Sequence, residues 1–77
     1  MAVTIHLQYS FHSYVELPTD RLVVELPHEM TLAGLLDKHG IPPRTVWMAR
    51  INEQTVTLDT IVRDNDVISL YPPIDGG

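Results

Sequence analysis

The chain contains no cysteine. That absence removes disulfides and thiolate metal ligands from the devices that hold small domains together. Positive charge is also scarce: five Lys and Arg stand against ten Asp and Glu, a formal net charge of −5. Phosphate contacts need clustered cations, so nucleic acid is not an expected partner. An acidic surface of this kind is either an ordinary solvated one or suits a partner with a basic one, because opposite fields speed encounter.

No apolar run approaches the length of a membrane span, so no membrane partner is expected. The opening Met1-Ala2-Val3-Thr4-Ile5-His6-Leu7-Gln8 has no basic stretch followed by an apolar run, so it does not read as a signal peptide. A cytoplasmic protein is expected. The four histidines, His6, His12, His28 and His39, follow no ligand spacing, so neither a metal nor a bound cofactor is expected. Neither a Gly-rich phosphate loop nor a nucleophile elbow occurs, and no pair of titratable residues converges on a recognisable site. A stand-alone catalyst is therefore not expected.

What remains is a globular composition, 44% hydrophobic and 19% charged, in 77 residues. That is one domain, burying about 60–65% of the surface its unfolded chain exposes. Val3-Thr4-Ile5-His6-Leu7-Gln8-Tyr9 alternates apolar and polar residues, which predicts a strand with Val3, Ile5, Leu7 and Tyr9 inward. Ser10 to Asp20 has no clean period and reads as a long hairpin connection. Its Phe11, Tyr14, Val15 and Leu17 either lie back over the core or form a contact surface. Arg21 to Leu26 alternates again, with Leu22, Val24 and Leu26 inward, and Pro27 ends it.

Thr31 is the expected N-cap of a helix over Leu32–His39, whose Leu32, Leu35, Leu36 and His39 share one face. Gly40, Ile41 and Pro42 stop it. Val46 to Asn52 predicts a strand with Trp47, Ala49 and Ile51 on one side and Val46, Met48 and Arg50 on the other. Asn52-Glu53-Gln54 turns the chain into a short edge strand over Thr55–Leu58. Asp59 to Arg63 reads either as loop or as one helical turn. Asp64-Asn65-Asp66 is a turn with Asn65 at positive φ. The last strand starts at Val67, with Ile68 and Leu70 inward and Val67, Ser69 and Tyr71 outward.

Strand, strand, helix, strand, strand, strand predicts an α+β roll, a mixed sheet of four to five strands with one main helix on one face. If the last strand lies beside the first, the two are parallel, with the helix crossing over the sheet. The domain is expected over residues 1–71, with residues 72–77 as an extended tail.

That tail, Pro72-Pro73-Ile74-Asp75-Gly76-Gly77, carries the functional expectation. Proline fixes φ and cannot donate to a ladder, so the Pro-Pro step ends the strand. Glycine has no Cβ to clash with a narrow channel. The tail spans at most roughly 20 Å, enough to enter a deep cleft. A carboxylate there becomes reactive only after conversion to a mixed anhydride with ATP. Two glycines alone read as a frayed end, but following a strand and a Pro-Pro step they read as a presented carboxyl. Tyr71, a large aromatic pointing outward beside this tail, is an expected interface anchor. Met48 and Arg50, on the outward sheet face, are either partner contacts or an ordinary exposed surface.

The element order and the closing Gly-Gly resemble the ubiquitin-like β-grasp fold, and within it the bacterial sulfur carriers of the MoaD/ThiS kind. The matching pieces are Ile51-Asn52, Asp64-Asn65-Asp66-Val67 and Leu70-Tyr71-Pro72-Pro73-Ile74-Asp75-Gly76-Gly77. The Pro-Pro step points to the small subunit of molybdopterin synthase rather than the thiamine carrier. The resemblance implies that an E1-like enzyme consumes ATP to adenylate Gly77. A sulfur donor then converts the terminus to a thiocarboxylate, and a larger synthase-type subunit receives the sulfur for a pterin precursor. It also implies that Gly76 threads the partner's channel while Tyr71, Pro72, Pro73, Ile74 and Asp75 meet its mouth. The chain departs from the family in Asn65, where glycine is usual, and in Asp75, where a small neutral residue is usual. The same chemistry serving thiamine, a sulfur amino acid or tRNA thiolation is an alternative. A β-grasp interaction module with an inert terminus is another.

Overall fold

The last strand in the sequence is the one at the centre of the sheet. The computed structural model describes residues 1–73, and in it β7 (Val67–Tyr71) lies between β1 (Ala2–Leu7) and β4 (Met48–Ile51). It runs parallel to β1, with Ile5 opposite Ile68 and Leu7 opposite Leu70, and antiparallel to β4, with Ala49 opposite Leu70 and Ile51 opposite Ile68. β2 (Arg21–Glu25) pairs antiparallel with β1, and β5 (Gln54–Val56) closes the other edge against β4. The result is a five-stranded mixed sheet in the order β2-β1-β7-β4-β5. Together with one main helix, α2 (Leu32–Lys38), it makes the expected α+β roll.

Alternation sets the two faces. Val3, Ile5, Leu7, Ala49, Ile51, Ile68 and Leu70 are all buried, and they meet Leu32, Leu35, Leu36 and Ile41 from α2 and its exit. Each aliphatic side chain removed from water here contributes about 1.5–3 kcal/mol. The opposite face carries Thr4, His6, Val23, Arg50, Met48, Val67, Ser69 and Tyr71, as the strand pairings require.

Helix α2 has seven residues, too short to persist without tertiary support. Thr31 caps it as expected, its Oγ1 accepting from the Gly34 N–H at 3.1 Å. A Cβ on Gly34 would stand 3.2 Å from that same oxygen, so the glycine leaves room for the cap. The Leu32 and Ala33 amides donate to the carbonyls of Thr60 and Leu58, each at 2.9 Å, which satisfies two more of the orphan donors. At the other end Gly40 takes φ +78°. Its amide donates to the Asp37 carbonyl, while the Ile41 amide donates to the Leu36 carbonyl at 2.9 Å and Ile41 is fully buried. This is a Schellman stop with its hydrophobic contact in place. His39 sits at the C-cap, half-buried, rather than within the helix.

Several elements differ from the expectation. The connection between β1 and β2 contains a helical turn, α1 (Phe11–Tyr14), which drives Phe11 fully into the core and leaves Tyr14 exposed. Val15 and Leu17 pack partly against the core, so this segment is chiefly a lid. β5 is Gln54–Val56, not Thr55–Leu58. Asp59 to Arg63 is neither plain loop nor helix, because Ile61–Val62 forms β6, pairing antiparallel with β3 (Met30–Thr31). This ribbon clamps the start of α2. Pro42 opens a 3-10 turn over Pro43–Thr45 ahead of β4.

Two aromatic residues expected inward are outside. Tyr9 takes φ +53° and Ser10 φ +62°, which ends the pleat, and Phe11 fills the core place that alternation assigned to Tyr9. Left-handed backbone at a non-glycine residue costs on the order of 1–3 kcal/mol. Trp47 leaves the core because the phase slips by one residue before β4: Val46 packs on the core, Trp47 and Met48 face away, and Ala49 is again buried. Asn65 has the expected positive φ, +69°.

Candidate functional site

β7 carries chemistry-bearing sequence at both ends, and the two ends do different things. At its foot, Asn52 Oδ1 accepts from the Val67 amide at 3.0 Å, and Asn52 Nδ2 donates to Asp66 Oδ1 at 3.0 Å. Asp66 Oδ2 accepts from the Arg63 amide at 2.9 Å, and Asp64 Oδ1 from the Ala2 amide at 2.8 Å. The backbone adds Asn52 N–H to the Val67 carbonyl and Asn65 N–H to the Ala2 carbonyl, both at 2.8 Å. These residues therefore fix where β7 begins. They build the strand.

At its head, the ladder runs to the last residue before the prolines. The Gln8 amide donates to the Leu70 carbonyl at 2.9 Å, and on the other side the Trp47 amide donates to the Tyr71 carbonyl at 2.9 Å. Pro72 and Pro73 then offer no N–H, so neither neighbouring strand can accept a bond from these two residues. Pro72 and Pro73 accordingly lie outside the strand. The expected contact residues Ile74 and Asp75, and the expected reactive residues Gly76 and Gly77, lie outside the described residues.

Met48 stands directly opposite Tyr71 across the β4–β7 pair, so the structure brings these two expected contacts together on the outward face. Both are half-buried. Pro72 is half-buried and Pro73 exposed. Arg50 shares the face, opposite Ser69, but its Nη2 donates to the Glu53 carbonyl, which turns the guanidinium toward the β4–β5 turn and away from the tail. Among the described residues its Nε is buried without a partner. A groove of about 370 Å³ beside it is lined by Asn52, Glu53, Val67 and Ser69. Those residues supply one carboxylate, an amide and a hydroxyl, and no nucleophile held by a base. Among the described residues no three His, Cys, Asp or Glu side chains gather where they could hold a metal.

Sequence reasoning missed two residues at this head. Tyr9, 76% exposed, places its ring 5.7 Å from that of Tyr71 at a tilt of 56°. Trp47, 56% exposed, holds the Tyr71 carbonyl through its own amide. Strict alternation hides both, and the readable signals were the Ser10 turn after Tyr9 and the paired prolines before Trp47.

The described helices include none long and apolar enough to cross a membrane. A model of the ThiS family matches residues 11–77. No curated protein sequence matches significantly. Solved structures do. SAMP1 of Haloferax volcanii is 18% identical with a TM-score of 0.74, over 100% of both chains. A protein described as molybdopterin converting factor, subunit 1, of Pyrococcus furiosus is 18% identical with a TM-score of 0.70, covering 96% of this chain and 99% of that one. The complex of subunits 1 and 2 of molybdopterin-converting factor from Helicobacter pylori 26695 contains a chain 25% identical, with a TM-score of 0.60 over 100% of both.

Proposed function

The chain belongs to the ThiS family, among the ubiquitin-like carriers of the MoaD/ThiS kind, and from that membership we propose that it is a sulfur carrier charged at Gly77 and serving molybdopterin synthesis. The observation that carries the reading is the geometry of β7. A central strand, hydrogen-bonded on both sides up to Tyr71, ends in two prolines that release the chain from the sheet. The sequence beyond them is Ile74-Asp75-Gly76-Gly77.

The chemistry is a transfer through this carboxyl. The Gly77 carboxylate attacks the α-phosphate of ATP on an E1-like partner, giving the acyl adenylate and pyrophosphate. The terminal sulfur of a donor protein's persulfide displaces AMP, and a thiol reduces the resulting acyl disulfide to the thiocarboxylate. A larger synthase-type subunit then takes up the tail and passes the sulfur to a pterin precursor. This chain supplies reach, a narrow terminus and a rigid root. The activating enzyme supplies the ATP site, in keeping with a carrier that is itself a co-substrate and works in the cytoplasm. The Pro-Pro step and the molybdopterin-converting relatives favour this pathway over thiamine.

The test is to incubate the protein with ATP, a persulfide donor and the activating enzyme of the same organism, add the larger synthase-type subunit, and follow pterin dithiolene formation. Product that requires both Gly77 and the larger subunit supports the reading. Charging without product in that assay sends the sulfur to another acceptor.

A further inference from the structure

We propose that Tyr9 and Trp47 form an aromatic collar around the root of the tail, and that this collar docks on the rim of the larger synthase-type subunit. The inference rests on the carrier reading above and names the surface by which the receiving partner is held. Both side chains stand in water, 76% and 56% exposed, although the alternation of their own segments assigns them to the core. Large aromatics of this kind, with one polar tip, dominate the centres of protein interfaces when they are found outside. Tyr9 is held there by two successive left-handed residues, neither a glycine, at φ +53° and +62°. Strain of that sort is kept where a surface is used.

Position selects the occupant. Each collar residue is tied to Tyr71, Tyr9 by its ring at 5.7 Å and Trp47 by its amide at 2.9 Å. Gly77 lies four residues beyond Pro73, and fully extended those residues reach at most about 14 Å. Any cleft that takes in Gly77 therefore brings its rim to within that distance of Pro73, and the collar is the surface waiting there. The chain's −5 charge and the electron-rich ring faces fit a rim of apolar slots bordered by Arg or Lys. The larger subunit is preferred over the activating enzyme because the related small subunit of H. pylori forms a complex with its subunit 2.

The chain has one tryptophan, so labelling with 5-fluorotryptophan gives a single 19F resonance from Trp47. Titration with the unlabelled larger synthase-type subunit of the same organism is expected to shift or broaden that resonance saturably. Tyr9→Ala and Trp47→Ala, which keep a cooperative thermal transition, are each expected to weaken the complex about tenfold or more. A resonance that stays put, or variants that bind within twofold of wild type, overturn the collar. So does a resonance that moves on raising the carrier's own concentration alone, or only with the activating enzyme. If wild type is neither charged with sulfur nor bound by the larger subunit, the carrier reading itself falls, and the collar with it.

Discussion

The side-chain amide of Asn52 donates to Asp66 across 3.0 Å, while its oxygen accepts from the Val67 amide at the same distance. One residue in the β4–β5 turn thus pins the turn that launches β7. Because a shift of one residue in β7 would swap its buried and exposed faces, this clasp sets which way Tyr71 points.

Asn52→Ala removes both bonds and places alanine at φ +50°. The expected loss is about 1–2 kcal/mol, since each net hydrogen bond contributes about 1 kcal/mol and these are exposed. For a domain of this size that lowers the melting temperature by roughly 4–8 °C per kcal/mol. Asn52→Asp keeps the acceptor for Val67 but sets a carboxylate against Asp66, and is expected to be destabilised more at pH 7 than at pH 3. Thermal melts at the two pH values check this.

The cap and the glycine of α2 are coupled. Thr31→Ala is expected to cost about 1 kcal/mol. Gly34→Ala should gain less than the roughly 1 kcal/mol of helix propensity, because the new Cβ meets Thr31 Oγ1 at 3.2 Å. With Thr31 already alanine, the full gain should return. A double-mutant cycle by urea denaturation measures the coupling, and simple additivity would show that the contact is not felt.

Ile68→Ala opens a cavity in the central strand, where the side chain is fully buried between Ile5 and Ile51. The expected loss is about 2–5 kcal/mol, comparable with the whole stability of a small domain. Ser69→Ala, next door on the open face, should change stability by less than about 0.5 kcal/mol. Equal effects would place the core on the wrong face.

Much of this was legible in the residues. The Thr31 cap, the Gly40–Ile41 stop, positive φ at Asn65 and the inward set Val3, Ile5, Leu7, Ile68 and Leu70 each follow from local chemistry that tertiary packing left alone. The parallel direction of β1 and β7 was read only on the condition that the two lie side by side, which they do. Alternation alone misplaced Tyr9 and Trp47, because each lies where a backbone irregularity breaks the period of its run. β3 and β6 were too short to announce themselves, and their role, closing the start of α2, appears only when Leu58 and Thr60 are seen to accept from it. At the site, the shared outward face of Met48 and Tyr71 could be read, whereas Arg50's turn toward Glu53 depends on the β4–β5 hairpin geometry.

Pro72→Ala with Pro73→Ala restores two backbone donors at the point where β7 leaves the sheet. Folding should be unaffected within about 0.5–1 kcal/mol. Sulfur delivery to the larger subunit should fall, because the freed amides let the strand continue along β1 or β4. Delivery by the double variant at the wild-type rate would mean that the prolines do not shape the tail.

The central claim is that Gly77 presents a carboxyl which other proteins load with sulfur. Intact mass after incubation with ATP, a persulfide donor and the activating enzyme tests it most directly. The account predicts the gain expected for replacing one oxygen by sulfur, located on the C-terminal peptide and absent when Gly77 is deleted from a chain that still folds. An unchanged mass, with the activating enzyme shown to be competent on its own carrier, would contradict it.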